Sequence, residues 1–200
     1  MKKQNILLTL ICLVWVYPAL GQLRLYDNGP YQPNFGISAI NNGNVTTDTF
    51  YLSGAGKFEI TGLVFYVLEV NDLNEPSTVQ WSITDEPGKT VLAMGTSNLT
   101  ILEELDNDNR FLMYGYKVAF YPNAVLLGGT YRLSLYGLTN KWGTWGYWAM
   151  NGGVGCESPG CPSEAWLTTA WSNGEVTLVP TGSETFYVEG DLLGETHIQE

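Results

Sequence analysis

Apolar and polar residues alternate along most of this chain with a period of two, and the 3.6-residue period of an amphipathic helix is nearly absent. That is the signature of strands with one buried face. The clearest case runs from Thr78 to Thr84, where Val79, Trp81 and Ile83 alternate with Gln80 and Ser82. Asp85-Glu86-Pro87-Gly88-Lys89 follows, with Pro and Gly at the second and third positions of a type II turn, and leads into Val91 to Met94. The two runs are predicted to form a hairpin. Lys57 to Val70 begins as an alternation, Phe58 and Ile60 opposing Glu59 and Thr61, and becomes apolar on both faces from Leu63 to Leu68. It reads as a strand covered on both sides or bulged at Gly62.

Phe111 to Tyr121 is a further long strand, with Leu112, Tyr114, Tyr116, Val118 and Phe120 on one face. Tyr131, Leu133 and Leu135 repeat the pattern after Gly128-Gly129, Phe186 and Val188 close it, and Ser172-Asn173-Gly174 signals a tight hairpin between two more runs. Turn residues recur at Asn71-Asp72, Asp106 to Asn109, Pro122-Asn123, Thr139-Asn140, Asn151 to Gly153 and Pro180 to Gly182. About ten short strands without intervening helices predict an all-β protein, an antiparallel β-sandwich of jelly-roll type. The loose segments are Gly29 to Thr47, Asn151 to Glu164 and the tail after Asp191.

The amino terminus sets the compartment. Lys2 and Lys3, the apolar run Ile6 to Val16 and the small residues of Pro18-Ala19-Leu20-Gly21 read as a secretory signal peptide over residues 1–21. Its apolar run of eleven residues falls short of the roughly 20 that a spanning helix needs, so membrane insertion is not expected. Cleavage leaves 179 of the 200 residues, enough for one domain at about 150 residues per domain. The expected division is a sandwich over 22–190 and an acidic tail over 191–200. The mature chain carries 7 basic and 20 acidic residues, a net charge of −13 with no basic patch. Nucleic acid and anionic membrane are poor partners for such a surface. Cys12 leaves with the signal, and Cys156 and Cys161 are predicted to close a small disulfide loop worth about 2 kcal/mol. The destination is extracellular, with periplasm or cell surface as alternatives.

Leu25-Tyr26-Asp27-Asn28-Gly29-Pro30, Thr47-Asp48-Thr49-Phe50, Ile60 to Phe65, Trp81-Ser82-Ile83, Gly129 to Leu135 and Phe186 to Gly190 together resemble the extracellular β-sandwich domains of bacterial exported proteins. Those domains often carry C-terminal sorting anchors of the PEP-CTERM, choice-of-anchor or type IX secretion kinds. The resemblance spans nearly the whole mature chain and implies an exported sandwich. Its motifs are structural, and it brings no catalytic residue. A C-terminal anchor is not expected here, because the chain stops about ten residues after the last expected strand.

Candidate chemistry centres on aromatics. Trp142, Trp145, Tyr147 and Trp148 fall within seven residues, followed by Trp166 and Trp171. A strand through 142–149 sends Trp142 and Trp148 to one face and Trp145 and Tyr147 to the other. One set packs in the core; the other is covered by a loop or exposed as a platform for sugar rings or a partner's apolar surface. Glu59, Glu69, Glu103 and Glu189 are the carboxylates a glycosidase pair could draw on, with none singled out by context. No catalytic residue and no metal site is assigned, and no cofactor is expected. Structural calcium is a possibility, at Asp106 to Asn109 or between Asp27 and Glu189 or Asp191. The sequon matches at Asn44 and Asn98 decide nothing. The expected role is a secreted, non-catalytic binding or adhesion module for carbohydrate or a surface protein, oligomeric state open. The alternatives are a matrix or filament component and a jelly-roll glycoside hydrolase.

Overall fold

The computed structural model describes residues 23–195 except 34, 42, 71–74, 87, 109–112, 141–145, 160, 162 and 171–175. The signal segment, the Pro87 position of the expected turn and Ser172 to Gly174 therefore lie outside the described residues. Within them there is no helix. Twelve strands are present, against the ten expected: β1 (Leu23–Asp27), β2 (Ile37–Ala39), β3 (Asn44–Glu69), β4 (Pro76–Asp85), β5 (Val91–Asn98), β6 (Thr100–Asp108), β7 (Met113–Phe120), β8 (Ala124–Asn140), β9 (Gly146–Ala149), β10 (Ala165–Ala170), β11 (Val176–Thr181) and β12 (Phe186–Glu195).

All pairing is antiparallel, and the sheet runs β1-β12-β3-β8-β4-β5 with β10, β11, β7, β6, β9 and β2 branching from it. The jelly-roll arrangement is not established by this order. The branch point is β3, whose first half pairs with β10 and β8 and whose second half pairs with β12, β7 and β9. Between the halves the β3·β8 register jumps from Leu52 to Lys57, so the chain bends from one layer into the other. The crossing is tight: a Cβ on Gly128 would lie 1.6 Å from the Gly54 carbonyl oxygen, so only glycine fits.

The first layer is β11-β10-β3-β8-β4-β5 and the second is β1-β12-β3-β7-β6 with β9 and β2. They stack face to face, which aromatic pairs across the interior make plain. Phe50 of the first layer meets Phe186 of the second edge-on with centroids 6.4 Å apart, and Trp81 meets Phe120 at 5.6 Å. Alternation places the apolar set inward as predicted: Val79, Trp81, Ile83, Leu133, Leu135, Phe186 and Val188 are all buried. The β4–β5 hairpin forms, but the Gly88 N–H donates to the Asp85 carbonyl, which puts Gly88, at φ +85°, at the fourth position of a turn from Asp85 and not at the third position of the expected type II turn. The two runs flanking Ser172 to Gly174 pair as β10 and β11.

From Gly62 to Glu69 every residue of β3 is buried, as the double-sided apolar run predicts, and a bulge at Thr61 precedes it. A second, smaller apolar cluster of Val64, Tyr66, Leu68, Met113, Ala119, Ala149 and Tyr187 covers its other face, with Tyr31 and Ile37 laid over it. Several boundaries differ from expectation: the segment Gly29 to Thr47 contains β2 and the start of β3, Asp106 to Asp108 belong to β6, and Pro180 and Thr181 belong to β11. Thr139-Asn140 is not a turn, because β8 runs through it to pair with β4. The tail does not begin at Asp191, because β12 continues to Glu195 by pairing with β3.

Phe50 is 1% exposed at the centre of the interlayer contact, so Phe50→Ala is expected to lower unfolding free energy by about 3–5 kcal/mol in denaturant titration. Val125→Ala, at a side chain 55% exposed, is expected to change it by less than about 0.5 kcal/mol. Similar losses for both variants would contradict the assignment of inward and outward faces.

Candidate functional site

The inward alternation of the first layer leaves its other face wet. Thr47 and Thr49 of β3, Arg132 and Ser134 of β8, Ser82 and Thr84 of β4, and Trp166 and Thr168 of β10 all project there, each between inward neighbours. Trp166 stands opposite Thr47, and Arg132 opposite Thr49. The Arg132 guanidinium lies over the Trp166 ring, 4.8 Å from its centroid, a cation–π stack across the intervening strand. Thr47, Arg132, Trp166 and Thr168 line an open cleft of about 280 Å³.

Arg132 is held but under-used. The β4–β5 turn packs against it closely enough that a Cβ on Gly88 would be 3.1 Å from Nη1. Its Nε is shielded from solvent and has no hydrogen-bond partner, and its nearest carboxylate, Glu86 Oε1, stands 3.9 Å from Nη2. That separation is beyond hydrogen-bonding reach. The described residues lining the cleft are thus two threonines, an indole and the guanidinium stacked on it.

A second polar assembly lies inside. Asp48, Glu184 and Asn28 are wholly buried. Asn28 Nδ2 reaches Ser163 Oγ (2.6 Å), Ser183 Oγ (2.8 Å), Asp48 Oδ2 (3.3 Å) and the Glu184 carbonyl (2.5 Å). The Asp48 carboxylate accepts the backbone N–H of Thr49 at 2.6 Å and of Glu184 at 2.8 Å. Burial raises the Asp48 pKa to about 7, with bonds from Ser163, Glu184 and Thr49 opposing it. Burial raises Glu184 well above the carboxylate range too, and the nearby Asp48 charge adds to this. Glu184 Oε1 accepts the Ser38 hydroxyl at 2.5 Å, while Oε2 has no partner. A third buried carboxyl, Glu69, is pushed up to about 8 by burial against one bond from Asn140.

The three aromatic candidates among the described residues, Tyr147, Trp148 and Trp166, do not converge. Trp142, Trp145 and Trp171 lie outside the described residues. Trp148 was expected at the contact surface and is instead sealed in the core, its Nε1 donating to the Thr185 carbonyl at 2.8 Å and its ring edge-on to Phe65 and Phe186. Strand alternation forces this, because Trp148 shares the inward face of β9. Tyr147 faces the opposite way and packs half-buried against the smaller cluster. Trp166 alone of the described three reaches a cleft.

Cys156 and Cys161 are disulfide-bonded. The loop they close is tied to the hub: Ser158 Oγ accepts the Asp27 N–H at 2.7 Å, and Asn151 Nδ2 donates to the Asn28 carbonyl. The Asp27 carboxylate is engaged by Arg24 Nη1 and the Gly29 N–H. The side chains of Asp106 to Asn109 lie outside the described residues. No three His, Cys, Asp or Glu side chains gather as a metal-ligand group among those described. Glu59 and Glu189 are half-buried and Glu103 exposed, on three different strands.

Arg132, Asp48 and Glu184 were not singled out as site residues from sequence. Arg132 occupies a wet-face position in Tyr131-Arg132-Leu133, and Asp48 an apolar-face position between Thr46 and Phe50, which are legible signals. Glu184, in Ser183-Glu184-Thr185, carries none. Compared with models of known protein families and with curated proteins, the chain matches none.

The buried carboxyls dictate a pH dependence of stability. A carboxyl with a raised folded pKa holds a proton that the unfolded chain has released, so stability falls as pH rises from about 4, the ordinary carboxylate value. For Asp48 the fall ends near its folded value of about 7, and for Glu69 near about 8. Thermal melts are expected to show a higher Tm at pH 5 than at pH 8.5. Asp48→Asn and Glu69→Gln should each flatten that difference, and a slope unchanged in both variants would refute the assignment.

Proposed function

We propose that this chain is a secreted, non-catalytic binding module that recognises carbohydrate, or a glycan-bearing surface partner, at the cleft between Arg132 and Trp166. The carrying observation is the partly exposed indole with a cation stacked on it in an open cleft of about 280 Å³ flanked by the Thr47 and Thr168 hydroxyls. Indole faces stack on the apolar faces of sugar rings, and hydroxyls exchange hydrogen bonds with sugar hydroxyls at little cost relative to water. The disulfide fits an oxidising compartment. No helix among the described residues is long and apolar enough to cross a membrane.

Self-assembly is a second reading with its own observation. Strand β5 ends the sheet order and exposes Val91, Leu92 and Met94 at 54, 45 and 65%. An open apolar edge of this kind pairs with other chains. Sedimentation across concentration tests it: assembly that Met94→Lys abolishes supports the reading, and a monomer throughout removes it.

For the binding reading, Trp166→Ala is expected to weaken the best ligand from a glycan array about tenfold or more, the scale of one lost stacking contact. Met94→Ala, on a distant strand of the same face, should leave binding unchanged. An array with no ligand, or binding indifferent to Trp166, would remove the proposal.

A further inference from the structure

Deepening that reading and resting on it, we infer that the cleft takes an acidic sugar, a ring bearing a carboxylate or a sulfate. The Arg132 guanidinium takes the anionic group and the Trp166 face takes the ring. The guanidinium is a planar fork of five N–H donors matched to two oxygens of a carboxylate or sulfate. In this structure it is short of acceptors: Nε has none, and Glu86 at 3.9 Å is beyond hydrogen-bonding distance of Nη2. A guanidinium with so few acceptors is a rare arrangement, and an anionic group would supply acceptors to the part of the side chain that remains accessible. The fork is also fixed before any ligand arrives, stacked on the indole at 4.8 Å and packed against the Gly88 turn. Fixing it in advance removes an ordering cost from binding.

Charge near the cleft favours an anion more than the acidic composition suggests. Arg132 is the one charged residue among the described residues lining the cleft. At physiological salt, exposed charges beyond about 8 Å are largely screened, so the chain's overall charge does not decide the matter. Glu86 does, because it is the carboxylate beside the guanidinium, with its side chain 51% exposed and free to swing into solvent. Asp85 accepts the Lys89 and Thr90 backbone N–H groups within its own turn, where Lys89 lies beside it, and Glu164 is exposed at the start of β10. Glu86 thus competes with an anionic ligand for Arg132 and has no such role toward a neutral one.

The test uses the full chain and a panel of oligosaccharides of galacturonate, glucuronate, mannuronate and guluronate and of sulfated galactose and glucosamine. Each is paired with its carboxyl-reduced or desulfated counterpart, and binding is measured by titration calorimetry. The expected result is at least one acidic member bound about tenfold or more tightly than its neutral counterpart. That preference should disappear in Arg132→Gln and return only partly in Arg132→Lys, whose ammonium is not a fork. Glu86→Gln should strengthen the acidic member about two- to fivefold, the scale of an exposed ion pair, and leave its neutral counterpart unchanged. It keeps the test decisive should the arginine variants misfold in thermal melts. Equal binding of acidic and neutral members with dependence on Trp166 overturns the acidic-sugar inference and leaves the binding module standing. Absence of any binding to the panel overturns the acidic-sugar inference, and the binding module then stands or falls on the glycan array. The uronate and sulfate arms separate the two sources of charge.

Discussion

The Asp48 carboxylate is buried in a two-layer sandwich, and burying a charge is tolerated only where bonds replace its hydration. The replacements come from the Thr49 and Glu184 backbone and the Asn28 amide, and Asn28 in turn gathers Ser163 and Ser183. One polar hub therefore joins the exit of β1, the first half of β3, the chain before β10 and the approach to β12. Sheet pairing alone would leave the segment 150–164 attached only at its ends. The hub and the bond from Ser158 fix it against β1, and the short disulfide then acts locally within a segment already docked. Removing one member of such a network costs more than the bond it made, because the remaining groups stay buried without partners.

The hub bears on the cleft through β3 and β10. Asp48 and Ala165 are register partners facing inward, and one residue along each strand Thr47 and Trp166 are partners facing out. The same two strands thus hold the sealed carboxylate on one face and the exposed indole on the other. With a side-chain period of two, a slip of one residue would exchange these faces. The buried carboxylate's bonds oppose such a slip, so they help set where Trp166 stands.

Much of this was legible in the chain. Alternation at Thr78 to Thr84, the hairpin that joins it to Val91 to Met94 and the double-sided run at Leu63 to Leu68 each carry local physics that the fold obeys. The small separation of Cys156 from Cys161 made their bond readable too. What could not be read is distance between faces. Tyr147 and Trp148 are adjacent in sequence, but alternation drives Trp148 into the core and Tyr147 the other way, so nearness along the chain gave these two no shared surface. The cleft instead joins Arg132 to Trp166, residues on strands that become neighbours only through β3. The strand extension through Thr139-Asn140 was hidden because polar turn residues also pair at sheet margins, where β4 satisfies their backbone. The hub was half legible: a charge at an inward position marks Asp48, whereas Glu184 sits among turn residues that say nothing about burial.

The two outer faces of the sandwich differ, and the difference bears on the proposed site. The second layer's outer face is clothed by its own chain: Tyr31 stacks on Tyr66 at 5.9 Å, Tyr66 and Tyr187 share a hydroxyl–hydroxyl contact at 3.1 Å, and Arg24 lies over Tyr187 at 4.0 Å. Its aromatics are thus already partnered. The first layer's outer face has no such cover among the described residues; its hydroxyl side chains stand partly exposed around one stacked indole. A ligand at the second layer would have to displace packed side chains and lose their contacts. A ligand at the first would displace water from a cleft whose indole and guanidinium are already in place. The lower cost of binding there follows from which layer the chain covers with its own residues.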